Sequence, residues 1–127
     1  MIKYIKTFVS GMCETNSYIF SDEENNCVII DPEGRAEQYI KYISSNGLKP
    51  VCILLTHAHF DHIGAMEGLR KEYGIQVYAG ADEKKVLEDP NINLTSMIGK
   101  GQSFSADKYL SDGEEFTVGN MTFKTIF

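Results

Sequence analysis

Val51-Cys52-Ile53-Leu54-Leu55-Thr56-His57-Ala58-His59-Phe60-Asp61-His62 is an unbroken apolar run that ends in a cluster of metal-ligand side chains. The run at 51–55, after Pro50, predicts a strand inside a sheet covered on both faces, because a half-exposed strand would alternate with polar residues. The chain has three histidines, and all of them fall between positions 57 and 62 with Asp61 among them. Neutral imidazole nitrogens and a carboxylate oxygen are the ligands that borderline divalent ions such as zinc take, at about 2.0–2.2 Å. A lone histidine at a strand end is most often a hydrogen-bonded surface residue. Ligand-type residues packed this densely, where a strand turns into a helix, read as a metal site. His57 and His59, at i and i+2 in an extended segment, project to the same side, so one ion can reach both. Asp61 and His62 come as the chain turns, within reach of a second ion. Two ions about 3.5–4 Å apart can share a bridging hydroxide and clamp the attacking and leaving oxygens of a hydrolysis. Ala58 and Phe60 are expected to pack against the sheet and carry no chemistry.

Upstream of the motif, residues 2–9 and 16–20 read as strands, since Ile2, Tyr4, Phe8 and Val9, then Tyr18, Ile19 and Phe20, are aromatic or β-branched. An antiparallel pair is the simplest outcome. The polar stretch from Asp22 to Asn26 is a turn, and Cys27-Val28-Ile29-Ile30 a short buried strand stopped by Asp31-Pro32-Glu33-Gly34. The spacing of Tyr39, Ile40 and Ile43 predicts a helix over 35–45, with Asn46-Gly47 as its C-terminal stop.

Downstream, Ile63, Met66 and Leu69 share a helical stripe, so a second helix is expected from near His62 to Tyr73, ended by Gly74. A strand at 76–79 follows, then a short helix at 82–87 closed by Asp89-Pro90. Residues 91–107 are polar without a period and read as a long loop. Glu115-Phe116-Thr117-Val118, the turn Gly119-Asn120, and the apolar-rich segment 121–127 make a hairpin pattern. Its second strand is still apolar at Phe127. An exposed edge there would favour self-association, and the sequence reads as cut rather than completed.

Composition narrows the function classes. At 127 residues, 43% hydrophobic and 24% charged, the chain suits one compact globular domain. A net charge of −6 argues against nucleic acid or an anionic membrane as partner. The N-terminus alternates charged and apolar residues and lacks a signal-peptide core, and no segment approaches membrane-span length. Cys13, Cys27 and Cys52 are an odd, irregularly spaced set, expected as buried free thiols in a reducing cytoplasm. None lies near the histidines, so core packing is their expected role.

These residues carry a family resemblance. The segment 56–62 resembles the His-x-His-x-Asp-His signature of the metallo-β-lactamase superfamily, preceded by an apolar strand and followed by a helix beginning Ile63-Gly64-Ala65. Thr15-Asn16-Ser17-Tyr18-Ile19 and Val28-Ile29-Ile30-Asp31-Pro32 resemble the opening strands of glyoxalase II-like, that is hydroxyacylglutathione hydrolase-like, members. The resemblance covers essentially the whole chain. It implies an α+β fold, the N-terminal half of an αββα sandwich with helices on the outer face of a mixed sheet, and a single truncated domain over 1–127. It also implies that His57 and His59 bind one metal and Asp61 and His62 the other. Asp61 would be the catalytic residue that orients the bridging hydroxide, and Asp31 would support the ligands from behind. A strand-end aspartate before proline is by default a turn former, so Asp31 carries both readings. Glu33 stands where the family often has glycine, which bears on the loop's shape more than on its chemistry.

The family's further ligands, two histidines and a bridging aspartate, come from the later half of its domain, whereas this chain has no histidine after His62. A catalytic zinc normally has three protein ligands, and His57 and His59 supply two. Metal binding by this chain alone is therefore expected to be weak. The leading expectation is a cytoplasmic hydrolase with two divalent ions, zinc first and iron or manganese also compatible, acting on a small acyl thioester or ester through a metal-bound hydroxide. The alternative is a non-catalytic metal-binding fragment active only with a complementing chain. A nucleic-acid-cleaving relative is disfavoured by the acidic balance.

Overall fold

A computed structural model describes residues 2–10, 15–56, 65–81 and 106–124. Strands β1 (Ile2–Ser10), β2 (Thr15–Asp22), β3 (Asn26–Ile30), β4 (Lys49–Leu55), β5 (Gln76–Gly80) and β6 (Lys108–Leu110) form one sheet in chain order. β2 pairs antiparallel with β1 on one side and β3 on the other, and β3 to β6 run parallel. Helix α1 (Ala36–Ser45) lies between β3 and β4, and α2 (Met66–Tyr73) between β4 and β5, as parallel neighbours require a crossover. Strands β7 (Glu115–Val118) and β8 (Met121–Lys124) form a separate antiparallel pair.

Alternation along the strands sorts the core into two layers. Cys27, Ile29, Ile53, Leu55, Val77 and Ala79 face Tyr39 and Ile43 of α1 and Met66 and Leu69 of α2. Val28, Ile30 and Cys52 face the other way and pack with Met121 of β8. The central strands are thus buried on both sides, which is why their sequences are continuously apolar. The layers run helices, mixed sheet, second sheet, an α+β arrangement of the expected kind. Among the described residues no helix is long and apolar enough to cross a membrane.

Two details depart from expectation. Pro50 lies inside β4, which begins at Lys49; Cys27 pairs with Pro50, and an irregularity between Cys27 and Val28 absorbs the missing donor. β6 was not expected, because Lys108-Tyr109-Leu110 is too short to show a period. Asp107 secures it: its N–H donates to the Val77 carbonyl at 2.8 Å, and its carboxylate accepts the Val77 N–H at 2.8 Å. The helix expected at 82–87, the loop at 91–105, Cys13 and the chain end at 125–127 lie outside the described residues.

The second sheet is tied to the first at one buried corner. The Asp22 carboxylate, 1% exposed, accepts N–H bonds from Glu24 at 2.9 Å and Asn26 at 3.0 Å, the Asn26 side-chain amide at 3.1 Å, and the Asn120 N–H of the β7–β8 turn at 2.9 Å. Burial pushes this carboxyl up, but the four donors outweigh burial and hold it below its ordinary value. Gly119, beside Asn120, has φ +57°, and a Cβ there would lie 2.8 Å from Asn26 Cβ. Only glycine lets the turn sit this close.

Candidate metal centre

The carboxyl ends of β3, β4, β5 and β6 lie along one edge of the sheet because these strands are parallel. In open sheets this is the edge where ligands bind. The candidate ligands follow β4 directly: His57, His59, Asp61 and His62 all lie outside the described residues, and Thr56 and Ala65 flank them. Where those flanks are held is therefore the geometry the site rests on.

Asp31 holds the first flank. It ends β3 with φ +51°, in the left-handed region that aspartate tolerates better than most residues. Its N–H donates to the Leu54 carbonyl at 3.0 Å, and its carbonyl accepts the Ser17 hydroxyl at 2.6 Å. Its carboxylate, in a residue 4% exposed, accepts the Thr56 N–H at 2.7 Å and the Thr56 hydroxyl at 2.5 Å. Asp31 therefore joins β2, β3 and the end of β4, one residue before His57. It is the turn former that its place before Pro32 suggests, and its carboxylate is bonded to Thr56, which precedes His57.

Pro32 holds the second flank: its carbonyl accepts the Ala65 N–H at 2.9 Å, just before α2 begins. Thr56 and Ala65, the residues on either side of 57–64, are thus fastened to adjacent residues of one loop. Glu33 completes the loop and is buried. Its N–H donates to the Tyr39 hydroxyl at 2.9 Å and more weakly to Ser17 Oγ at 3.3 Å, and its carbonyl accepts the Tyr39 hydroxyl at 2.6 Å. Gly34 N–H caps its Oε1 at 2.7 Å.

Sequence reasoning named Asp31 and gave no site role to Thr56, Ser17 and Tyr39. Thr56 was quoted with the motif but given no role. Ser17 stands out only as a small polar residue in a strand of aromatic and branched neighbours, and Tyr39 reads as an ordinary core position. The two described cysteines, Cys27 and Cys52, are buried in the core. Burial pushes the Cys27 thiol up to about 12, with the nearby Cys52 and Asp22 adding to it, and burial alone takes Cys52 to about 12. Both are free, buried and protonated at neutral pH.

Comparison with known proteins agrees with this architecture. A family model of the metallo-beta-lactamase superfamily matches residues 10–126. The probable metallo-hydrolase YqgX of Bacillus subtilis (strain 168) is 37% identical over 120 residues, covering 92% of this chain and 56% of that protein. The hydroxyacylglutathione hydrolase GloC of Haemophilus influenzae is 36% identical over 74 residues, covering 58% of this chain and 35% of that one. Among solved structures, the BLEG-1 B3 metallo-beta-lactamase superposes with a TM-score of 0.87 at 38% identity, over 95% of this chain and 59% of that chain. TTHA1623 in a di-iron-bound form gives a TM-score of 0.73 at 28% identity, over 87% and 56%. The chain spans about half the length, or less, of the curated relatives it matches.

Proposed function

The chain belongs to the metallo-beta-lactamase superfamily, and from that membership we propose that it carries the first ligand motif of a binuclear, metal-dependent hydrolase of small acyl thioesters or esters. The donor set fits: three imidazoles and a carboxylate between 57 and 62 offer the nitrogen and oxygen ligands that zinc, iron and manganese accept. In this reading His57 and His59 hold one ion and Asp61 and His62 the other. When bound, the ions polarise the scissile carbonyl and lower the pKa of water toward neutrality. Asp61 orients the attacking water through a carboxylate oxygen. Asp31 fixes, through Thr56, where the segment leaves the sheet.

The observation that carries the reading is the fastening of both flanks of the histidine segment to Asp31 and Pro32. A segment secured at each end loses less conformational entropy on binding an ion than a free one. The name of GloC supports a thioester substrate, and the similarity to BLEG-1 supports a β-lactam as competitor; both are acyl compounds opened by water. A reducing cytoplasm is the compartment this reading implies, and the free Cys27 and Cys52 thiols support it.

A second reading is a metal-binding fragment, catalytic only with a complementing chain. Metal content after dialysis against a weak chelator separates the two. The first reading expects about two ions per completed site and release of thiol from an acyl thioester; the second expects one ion or none, and no turnover. Metal uptake by the wild-type chain that is unchanged in His57→Ala would refute both.

A further inference from the structure

The loop that fastens the histidine segment is itself held from beneath by two hydroxyls on other elements. Ser17, on β2, and Tyr39, on α1, are both fully buried. Ser17 Oγ donates to the Asp31 carbonyl and accepts the Glu33 N–H, while the Tyr39 hydroxyl accepts that same N–H and donates to the Glu33 carbonyl. The Tyr39 ring leaves its hydroxyl little freedom, because Phe8 packs on it with ring centroids 4.9 Å apart. The loop's outward contacts, to Thr56 and Ala65, come from Asp31 and Pro32, and its inward contacts, to Ser17 and Tyr39, from Asp31 and Glu33, three consecutive residues.

We propose that Ser17 and Tyr39 are positioning residues for the metal segment, acting through the main chain of Asp31, Pro32 and Glu33; the inference rests on the metal reading above. Removing the Ser17 hydroxyl deletes the 2.6 Å bond to the Asp31 carbonyl, and removing the Tyr39 hydroxyl leaves the Glu33 carbonyl to Gln38 Nε2 at 3.0 Å and the Glu33 N–H to Ser17 Oγ at 3.3 Å, so the loop main chain re-optimises its remaining bonds by shifting. A shift of the loop carries Thr56 and Ala65 with it, since each is bonded to it. Groups that orient ligands at one remove commonly control metal affinity by about 10–100-fold.

The test compares zinc affinity, by chelator competition, and the visible spectrum of the cobalt-loaded chain across four proteins: wild type, Ser17→Ala, Tyr39→Phe and Gly119→Ala. Gly119→Ala serves as a control that lowers the urea midpoint at the far corner of the sheet. The expected result is about a 10–100-fold weaker zinc affinity and an altered cobalt spectrum for Ser17→Ala and Tyr39→Phe, with wild-type values for Gly119→Ala. If one hydroxyl variant does not fold, the other carries the test. Wild-type affinity and spectrum in the hydroxyl variants, with only the urea midpoint lowered, would make the two hydroxyls purely structural and overturn the inference while leaving the metal reading intact. Absence of zinc binding by the wild-type chain would overturn that reading, and the inference with it.

Discussion

Replacing Asp31 by alanine removes the clasp on Thr56 and forces a residue with no polar side chain to hold φ +51°. Hydrogen bonds to a charged group contribute about 1.5–3 kcal/mol each, and two are lost. Thr56 is exposed, so its freed donors regain water, and the lower end applies: about 3 kcal/mol for the pair. Left-handed backbone adds about 1 kcal/mol for alanine. Relief of a buried carboxylate's desolvation offsets part of this, leaving a net loss of about 2–4 kcal/mol. Asp31→Asn keeps one acceptor and tolerates the same φ, so it should lose about half as much. Thr56→Val, which retains the N–H bond, should lose least, about 1 kcal/mol. Equilibrium urea unfolding, monitored by two optical probes to confirm a single transition, gives the differences directly. A loss below about 1 kcal/mol for Asp31→Ala, or Asp31→Asn as costly as Asp31→Ala, would refute the decomposition into carboxylate bonds and backbone strain.

Three further outcomes follow from the fold. Gly119→Ala should destabilise by about 1–3 kcal/mol, because its Cβ would meet Asn26 Cβ at 2.8 Å and its φ is positive; an unchanged urea midpoint would contradict that contact. The Asp22 carboxyl is held below its ordinary value of 3.8 in the folded state, so the unfolded chain binds the proton first on acidification. Its contribution is complete above that value and disappears as pH falls through the folded one. The stability gap between wild type and Asp22→Asn, read from urea titrations at several pH values, should therefore be wide at neutrality and narrow as pH falls below 3.8; a gap independent of pH would reverse the assignment. Cys27 and Cys52, raised to about 12 and buried, should resist a thiol reagent in the native protein and react in urea. Mapped labelling of either in native buffer at the rate of an exposed thiol would show the core to be open.

The parts of this fold legible in the sequence are those whose cause is local. Residues 27–30 and 51–55 announced buried strands because burial on two faces leaves no polar position. Tyr39, Ile40 and Ile43 gave α1, and Gly119-Asn120 gave the hairpin. β6 was illegible because three residues show no period, and its pairing depends on Asp107 meeting Val77 across the chain. The histidine cluster is read as a metal site from residue type alone. How its flanks are held was hidden, since Asp31 meets Thr56 across 25 positions, and Ser17 meets Glu33 across 16. Hydrogen bonds between strands brought together by topology leave no periodic trace in the chain.

The bond from Asn120 to Asp22 spans 98 positions, and this separation sets an order in time. Closing so long a loop is slow, and it is rewarded only after the intervening strands have paired. During synthesis the first three strands can assemble while the closing turn is still being made. Until then the buried acid has only its local donors, Glu24 and Asn26, so the nascent sheet passes through a stage in which its aliphatic reverse side around Val28 and Cys52 is wet. Folding yield for this protein should therefore depend on how fast the last hairpin arrives.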